Sequence, residues 1–148
     1  MNRYGGVTIF GAVGNCISKS LFITGKSTNR DEFKQFIETL VGLTDKSKPK
    51  PYLILDNHAA HKCNSKLLND HFEVMWMPPY SCEFNSIEHC WGMMKEKFKR
   101  RFAQAVHNIK SDSDFKQLVE LIISQIPEET YRAFVTANRN YLQKFEQQ

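Results

Sequence analysis

Four consecutive apolar residues, Tyr52 to Leu55, run straight into an aspartate, Asp56. So short and unbroken a run lacks the alternation of a half-exposed strand. It predicts a strand buried on both faces, as in the sheets of α/β proteins. A second strand-like run, Phe72 to Met77, is closed by Pro78 and Pro79, which cannot continue a β-ladder. Helical character between them, over Lys62 to His71, separates the two strands. Asp56 follows this run directly, so it is expected at the carboxyl end of a buried strand. In open α/β sheets, ligands and active sites gather at that edge.

The flanking segments extend the pattern. Val7 to Val13 is a short β-rich run, and Gly14-Asn15 is a turn signal. Ile17 to Thr24 alternates and predicts the partner strand of a hairpin. Thr28 or Asn29 can cap a helix, with Asp31 and Glu32 placed for a capping box. Phe33, Phe36, Ile37, Leu40 and Val41 then recur at helical spacing, and Gly42 is a stop. Helices are predicted from Ser86 to about Phe102, from Ser113 to Gln125, and from Pro127 to Phe145. In the last of these, Asn138 breaks an apolar stripe begun by Tyr131, Phe134 and Val135. A hairpin, then helix, strand, helix and strand, then helices, is an α/β pattern with a mixed sheet.

A length of 148 residues suits one domain with a sizeable core. With 41% hydrophobic and 24% charged residues, the composition is that of a globular chain rather than a disordered one. The net charge of +4 is compatible with nucleic-acid binding without establishing it. No apolar run approaches the ~18 residues of a membrane span, and the N-terminus lacks a secretory h-region. Four cysteines with no CxxC spacing read as reduced thiols of an intracellular protein. His58, His61 and Cys63 cluster in sequence, and Cys82, His89 and Cys90 could approach them, but their spacing matches no zinc pattern.

Two carboxylates carry the chemistry. Asp56 ends the inner strand. Glu88 follows a Pro78-Pro79-Tyr80-Ser81 turn and falls in the first turn of a helix that Ser86 can cap. Delivered from separate elements, an Asp and a Glu can share divalent metal ions over a phosphodiester. Each also has a plain structural use. An Asp after a strand caps the next turn, and a first-turn Glu is favoured by the helix dipole.

The surrounding residues are more specific. Asp56-Asn57, His61, Pro78-Pro79-Tyr80-Ser81, Asn85, Ile87-Glu88 and Trp91 together resemble the second and third acidic positions of DDE-type transposases of the Tc1/mariner and IS630 group. The upstream Gly5 to Val13 segment and the helix from Ser27 to Leu40 are also similar to that family. The resemblance covers roughly residues 4 to 102.

It implies a ribonuclease-H-like mixed sheet with flanking helices. A partial DDE domain would span residues 1–105, and a C-terminal helical extension of the same domain residues 106–148. It implies metal-dependent DNA cleavage and strand transfer using Mg²⁺ or Mn²⁺, with Asp56 and Glu88 as catalytic metal ligands. Asn57, His61, Tyr80 and Asn85 would support them. Tyr80 would either pack in its turn or stack on DNA.

Departures from the family pattern are also present. Cys82 and Ser86 stand where proline is usual, and 31 residues separate Asp56 from Glu88, a few fewer than is usual. The family's first catalytic Asp lies on a strand upstream of the Val7 strand. Only six residues precede Val7 and none is acidic, so no residue matches that Asp. The expectation is a domain truncated at its N-terminus, with little catalysis by itself. A homodimer or a larger complex would supply the missing strand. The alternative is a domesticated, non-enzymatic subunit that keeps the fold for DNA or protein interaction. DNA is the expected partner, and the nucleus the expected location in a eukaryote.

Lys95, Lys97, Lys99, Arg100 and Arg101 follow Glu88 on the same helix. They can contact DNA phosphates, or simply form a solvated helix face. Trp91, Met94 and Phe98 are spaced as the buried stripe of that helix.

Overall fold

The computed structural model of the chain describes residues 6–146, apart from the side chains of Cys82, Tyr141, Leu142, Phe145 and Glu146. The hairpin forms as predicted. Strand β1 (Thr8–Ala12) pairs antiparallel with β2 (Leu21–Gly25), from Thr8 opposite Gly25 to Ala12 opposite Leu21. The second strand starts later than its alternation suggested. Ile17 instead makes an isolated bridge to Thr44. Helix α1 (Arg30–Gly42) begins at Asn29, whose side chain accepts the Glu32 N–H. The Glu32 carboxylate turns back to the N–H groups of Lys26 and Ser27 rather than closing a capping box.

Strand β3 (Tyr52–Leu55) is parallel to β4 (Glu73–Trp76), with Leu55 opposite Trp76. The link holds two short helices, α2 (Ala59–Lys62) and α3 (Ser65–His71). The prediction that β3 is buried on both faces is not met. Leu55 and Leu53 face the core that α1 and α3 build, with Phe36, Ile37, Leu68 and Phe72. Tyr52 is 72% exposed and Ile54 49% exposed. The opposite Met75 is exposed as well, so one face of this two-stranded sheet is apolar and open.

The two pairs do not merge into one sheet. They also run in opposite senses across α1. The Thr8–Gly25 end of the hairpin leads into Lys26 and Ser27, which Glu32 holds at the start of α1. The Asp56 end of β3 reaches that same helix start through His61, whose ring stacks on Phe33. So β1 leaves the start of α1 while β3 arrives at it. Among the described residues, each strand keeps one edge without a strand partner.

Helices α4 (Ser86–Ala105), α5 (Asp112–Gln125) and α6 (Glu128–Glu146) form the second core with Cys90, Met94, Ile122, Ile126 and Tyr131. Ser111 and Asp114 close a capping box at the start of α5. Phe22 joins the hairpin to this core, 4.8 Å from the Tyr131 ring and 5.6 Å from the Trp91 ring. Glu128 on α6 accepts the N–H and the hydroxyl of Ser20, both at 3.0 Å, and Arg132 donates to the Ser18 carbonyl. A hairpin that shares no sheet with β3 is thus held from the helical side. No helix among the described residues is long and apolar enough to cross a membrane. Among the described residues, six α-helices and two small sheets form a mixed α/β architecture, compatible with a truncated ribonuclease-H-like fold.

Candidate active site

Asp56 stands one residue past β3, at the carboxyl edge of the parallel pair. The ladder continues to that point, because the Met77 N–H donates to the Leu55 carbonyl at 2.8 Å. The exposed Asp56 carboxylate meets His61, with Oδ1 2.8 Å from Nδ1. The same ring nitrogen lies 3.3 Å from the Asp56 carbonyl. His61 is itself fixed by stacking on Phe33, at a centroid distance of 4.4 Å. One carboxylate oxygen is thereby oriented from the apolar core, as a second-layer histidine orients a metal ligand.

Glu88 is placed by the start of α4. Asn85, in extended conformation, is the cap. Its side chain accepts the Ile87 N–H and its carbonyl accepts the Glu88 N–H. Ser86, expected as the cap, is instead the first helical residue, because Asn85 already supplies the extended backbone and the acceptor that a cap requires. The turn before the helix is tied down from α6, where the Asn138 amide donates to the Phe84 carbonyl at 2.6 Å. Asn138 is the polar break in the α6 stripe. That interruption was the sequence signal for this anchor, though it did not identify the partner.

Asp56, Glu88, His61 and Asn85 all line one cleft of about 480 Å³. Its walls are the free edges of β1 and β3. All residues of both strands line it, and none of β2 or β4 does. Apolar side chains close it above and below, with Phe33, Phe36 and Leu40 from α1, and Ile87 and Trp91 from α4. Asn57 is exposed and does not line the cleft. Tyr80 is not packed in its turn. It is fully exposed, at 101% relative accessibility, with φ at 61°.

The donors fit a hard divalent cation in kind, being carboxylate oxygens on either side of a cleft. They fall short in number. Among the described residues no group of three His, Cys, Asp or Glu side chains could hold a metal ion. A zinc site drawing on Cys90 is disfavoured as well. Cys90 is fully buried in the helical core, and burial pushes its thiol up to about 11, away from the thiolate that zinc takes.

The basic residues of α4 are all exposed. Lys95 and Lys99 lie one turn apart beside the apolar stripe, and Lys97, Arg100 and Arg101 occupy the rest of the exposed arc. Two have neighbours: Lys99 pairs with Glu96 at 3.3 Å, and Arg101 donates to Gln125 at 3.0 Å. Met94 is buried, and Trp91 and Phe98 are half-buried, so the predicted stripe is core.

A family model described as DDE superfamily endonuclease matches residues 1–110. The chain belongs to the DDE superfamily endonucleases. No curated protein and no solved structure shows significant similarity to it. The matched span of this DDE endonuclease domain holds Asp56, Glu88 and the basic part of α4, while α5 and α6 lie beyond it.

Proposed function

We propose that this DDE endonuclease domain is of the Tc1/mariner or IS630 type and derives from a transposase that cleaves DNA and transfers the strand into a new site. The observation that carries this reading is the arrival of Asp56 and Glu88, from separate elements, at one cleft between the free edges of β1 and β3. Mg²⁺ or Mn²⁺ would be held there by Asp56, Glu88 and at least one further oxygen ligand, and when bound would act as a Lewis acid on a phosphodiester. His61 orients Asp56, and the Asn85 cap with its Asn138 anchor orients Glu88. The exposed arc of α4, from Lys95 to Arg101, offers positive charge to DNA phosphates on the same helix as Glu88.

Two carboxylates alone do not complete the site. The free edges of β1 and β3 would accept a further strand, and that strand would bring the remaining ligand. Sequence outside these 148 residues, a second copy or a larger complex would supply it. A DNA-directed protein of this kind would work in the nucleus of a eukaryotic cell.

A second reading is favoured by the shortage of ligands among the described residues. In it the chain keeps the fold to bind DNA or protein and does not cleave. Calorimetric titration with Mn²⁺ separates the two. Weak binding that disappears in Asp56→Ala and in Glu88→Ala supports the nuclease-derived site. Titrations that are indifferent to both substitutions overturn it and leave the interaction reading.

A further inference from the structure

We infer that Tyr80 is a nucleobase-stacking residue that seats a DNA strand beside the Asp56–Glu88 cleft, an inference that rests on the DNA-directed reading above. Its side chain is completely exposed, the most exposed of the large hydrophobic residues described. An aromatic ring left wholly in water gains nothing from burial in the folded chain. Its backbone is also the sole non-glycine among the described residues with positive φ, at 61°. A bulky residue in the left-handed region is a true outlier, and such strain concentrates at functional sites.

Position and chemistry narrow the role. The Met77 N–H bonds the Leu55 carbonyl next to Asp56, and Tyr80 follows three residues later. The turn therefore rises from the same sheet edge as Asp56. It has little else to offer a partner. Pro78 and Pro79 have no N–H, and the Ser81 hydroxyl donates to the Pro79 carbonyl at 3.3 Å. What remains is a π-face on a stiff support. Stacking on such a face recognises single-stranded or unstacked bases without regard to sequence.

The test is a titration of the chain into a short single-stranded oligonucleotide carrying 2-aminopurine, followed by both affinity and fluorescence quenching. Tyr80→Ala is expected to weaken binding by about 10-fold and to abolish the quenching. Tyr80→Phe and Tyr80→Trp are expected to retain both, since the ring and not the hydroxyl is required. Tyr80→Gly is expected to raise the thermal midpoint, because glycine relieves the left-handed backbone, while losing affinity like Tyr80→Ala. A purely structural role would not pair a gain in stability with a loss of binding. Wild-type affinity and quenching in Tyr80→Ala would overturn the stacking role and leave the DNA-directed reading intact. No binding of single-stranded or duplex DNA by the wild-type chain would overturn both.

Discussion

Replacing Gly11 by alanine should destabilise the fold by about 2 kcal/mol. Gly11 lies in β1 opposite Phe22, where the hairpin presses on α4. A methyl group built there would sit 2.6 Å from Phe22 Cε1 and 2.6 Å from Trp91 Cη2. Carbon atoms prefer separations of about 3.5–4.0 Å, so the rings must retreat by roughly 1 Å. Neither is free to do so. Phe22 also packs on Tyr131, and Trp91 is carried by a 20-residue helix. Overpacking of this kind costs about 1–3 kcal/mol.

Gly92, one residue after Trp91, is the control. It is exposed in α4 and nothing lies within 4 Å of a Cβ built on it. Alanine there should stabilise by about 0.8–1.0 kcal/mol through helix propensity alone. For a domain of this size, each kcal/mol moves Tm by about 2–4 °C. Circular dichroism melts should therefore show Gly11→Ala about 4–8 °C below wild type and Gly92→Ala about 2–4 °C above it. Urea titration should give the same order. A Gly11→Ala midpoint at or above wild type would refute the close packing of β1 on α4.

Asn85→Ala removes the cap of α4 and should cost about 1 kcal/mol in urea denaturation, with Asn85→Asp close to wild type. Burial pushes the Cys90 thiol up to about 11. Burial, followed by the neighbouring Cys90 and Glu128 charges, pushes the Tyr131 phenol up to about 12. Both groups ionise first in the unfolded chain, whose ordinary values are 9.0 and 10.0. The unfolded state then holds fewer protons, so stability should fall as pH rises from about 9 through 12. A denaturation midpoint that climbs over that range would contradict this. Exposed Cys16 and Cys63 should react with a thiol reagent in the native state, whereas Cys90 should react only on unfolding. Mass mapping of the labelled sites reads this directly.

Much of the architecture was legible because it rests on local signals. The α1 stripe from Phe33 to Leu40, the Pro78-Pro79 stop after β4 and the β-rich run from Val7 to Val13 each specify an element without help from the rest of the chain. The burial of β3 was not legible. A run of apolar residues shows that a strand can be buried, but the number of layers that cover it depends on elements far away in sequence. Here Tyr52 and Ile54 are open. Asp56 and Glu88 stood out through their flanking residues, since each alone has an ordinary structural use. Their meeting in one cleft brings the end of β3 to the start of α4, which no local pattern encodes. The Glu128 grip on Ser20, 108 residues away, was likewise invisible in the sequence. Tyr80 was placed in the right turn, but its full exposure could come only from the fold.

Manganese-induced line broadening in the amide NMR spectrum tests most directly whether Asp56 and Glu88 form one cation site. With substoichiometric Mn²⁺, the signals around Asp56 and Glu88 should broaden together, and Asp56→Ala should remove the broadening at Glu88. Broadening at only one of them would contradict a shared site, as would broadening scattered over surface carboxylates and unmoved by Asp56→Ala.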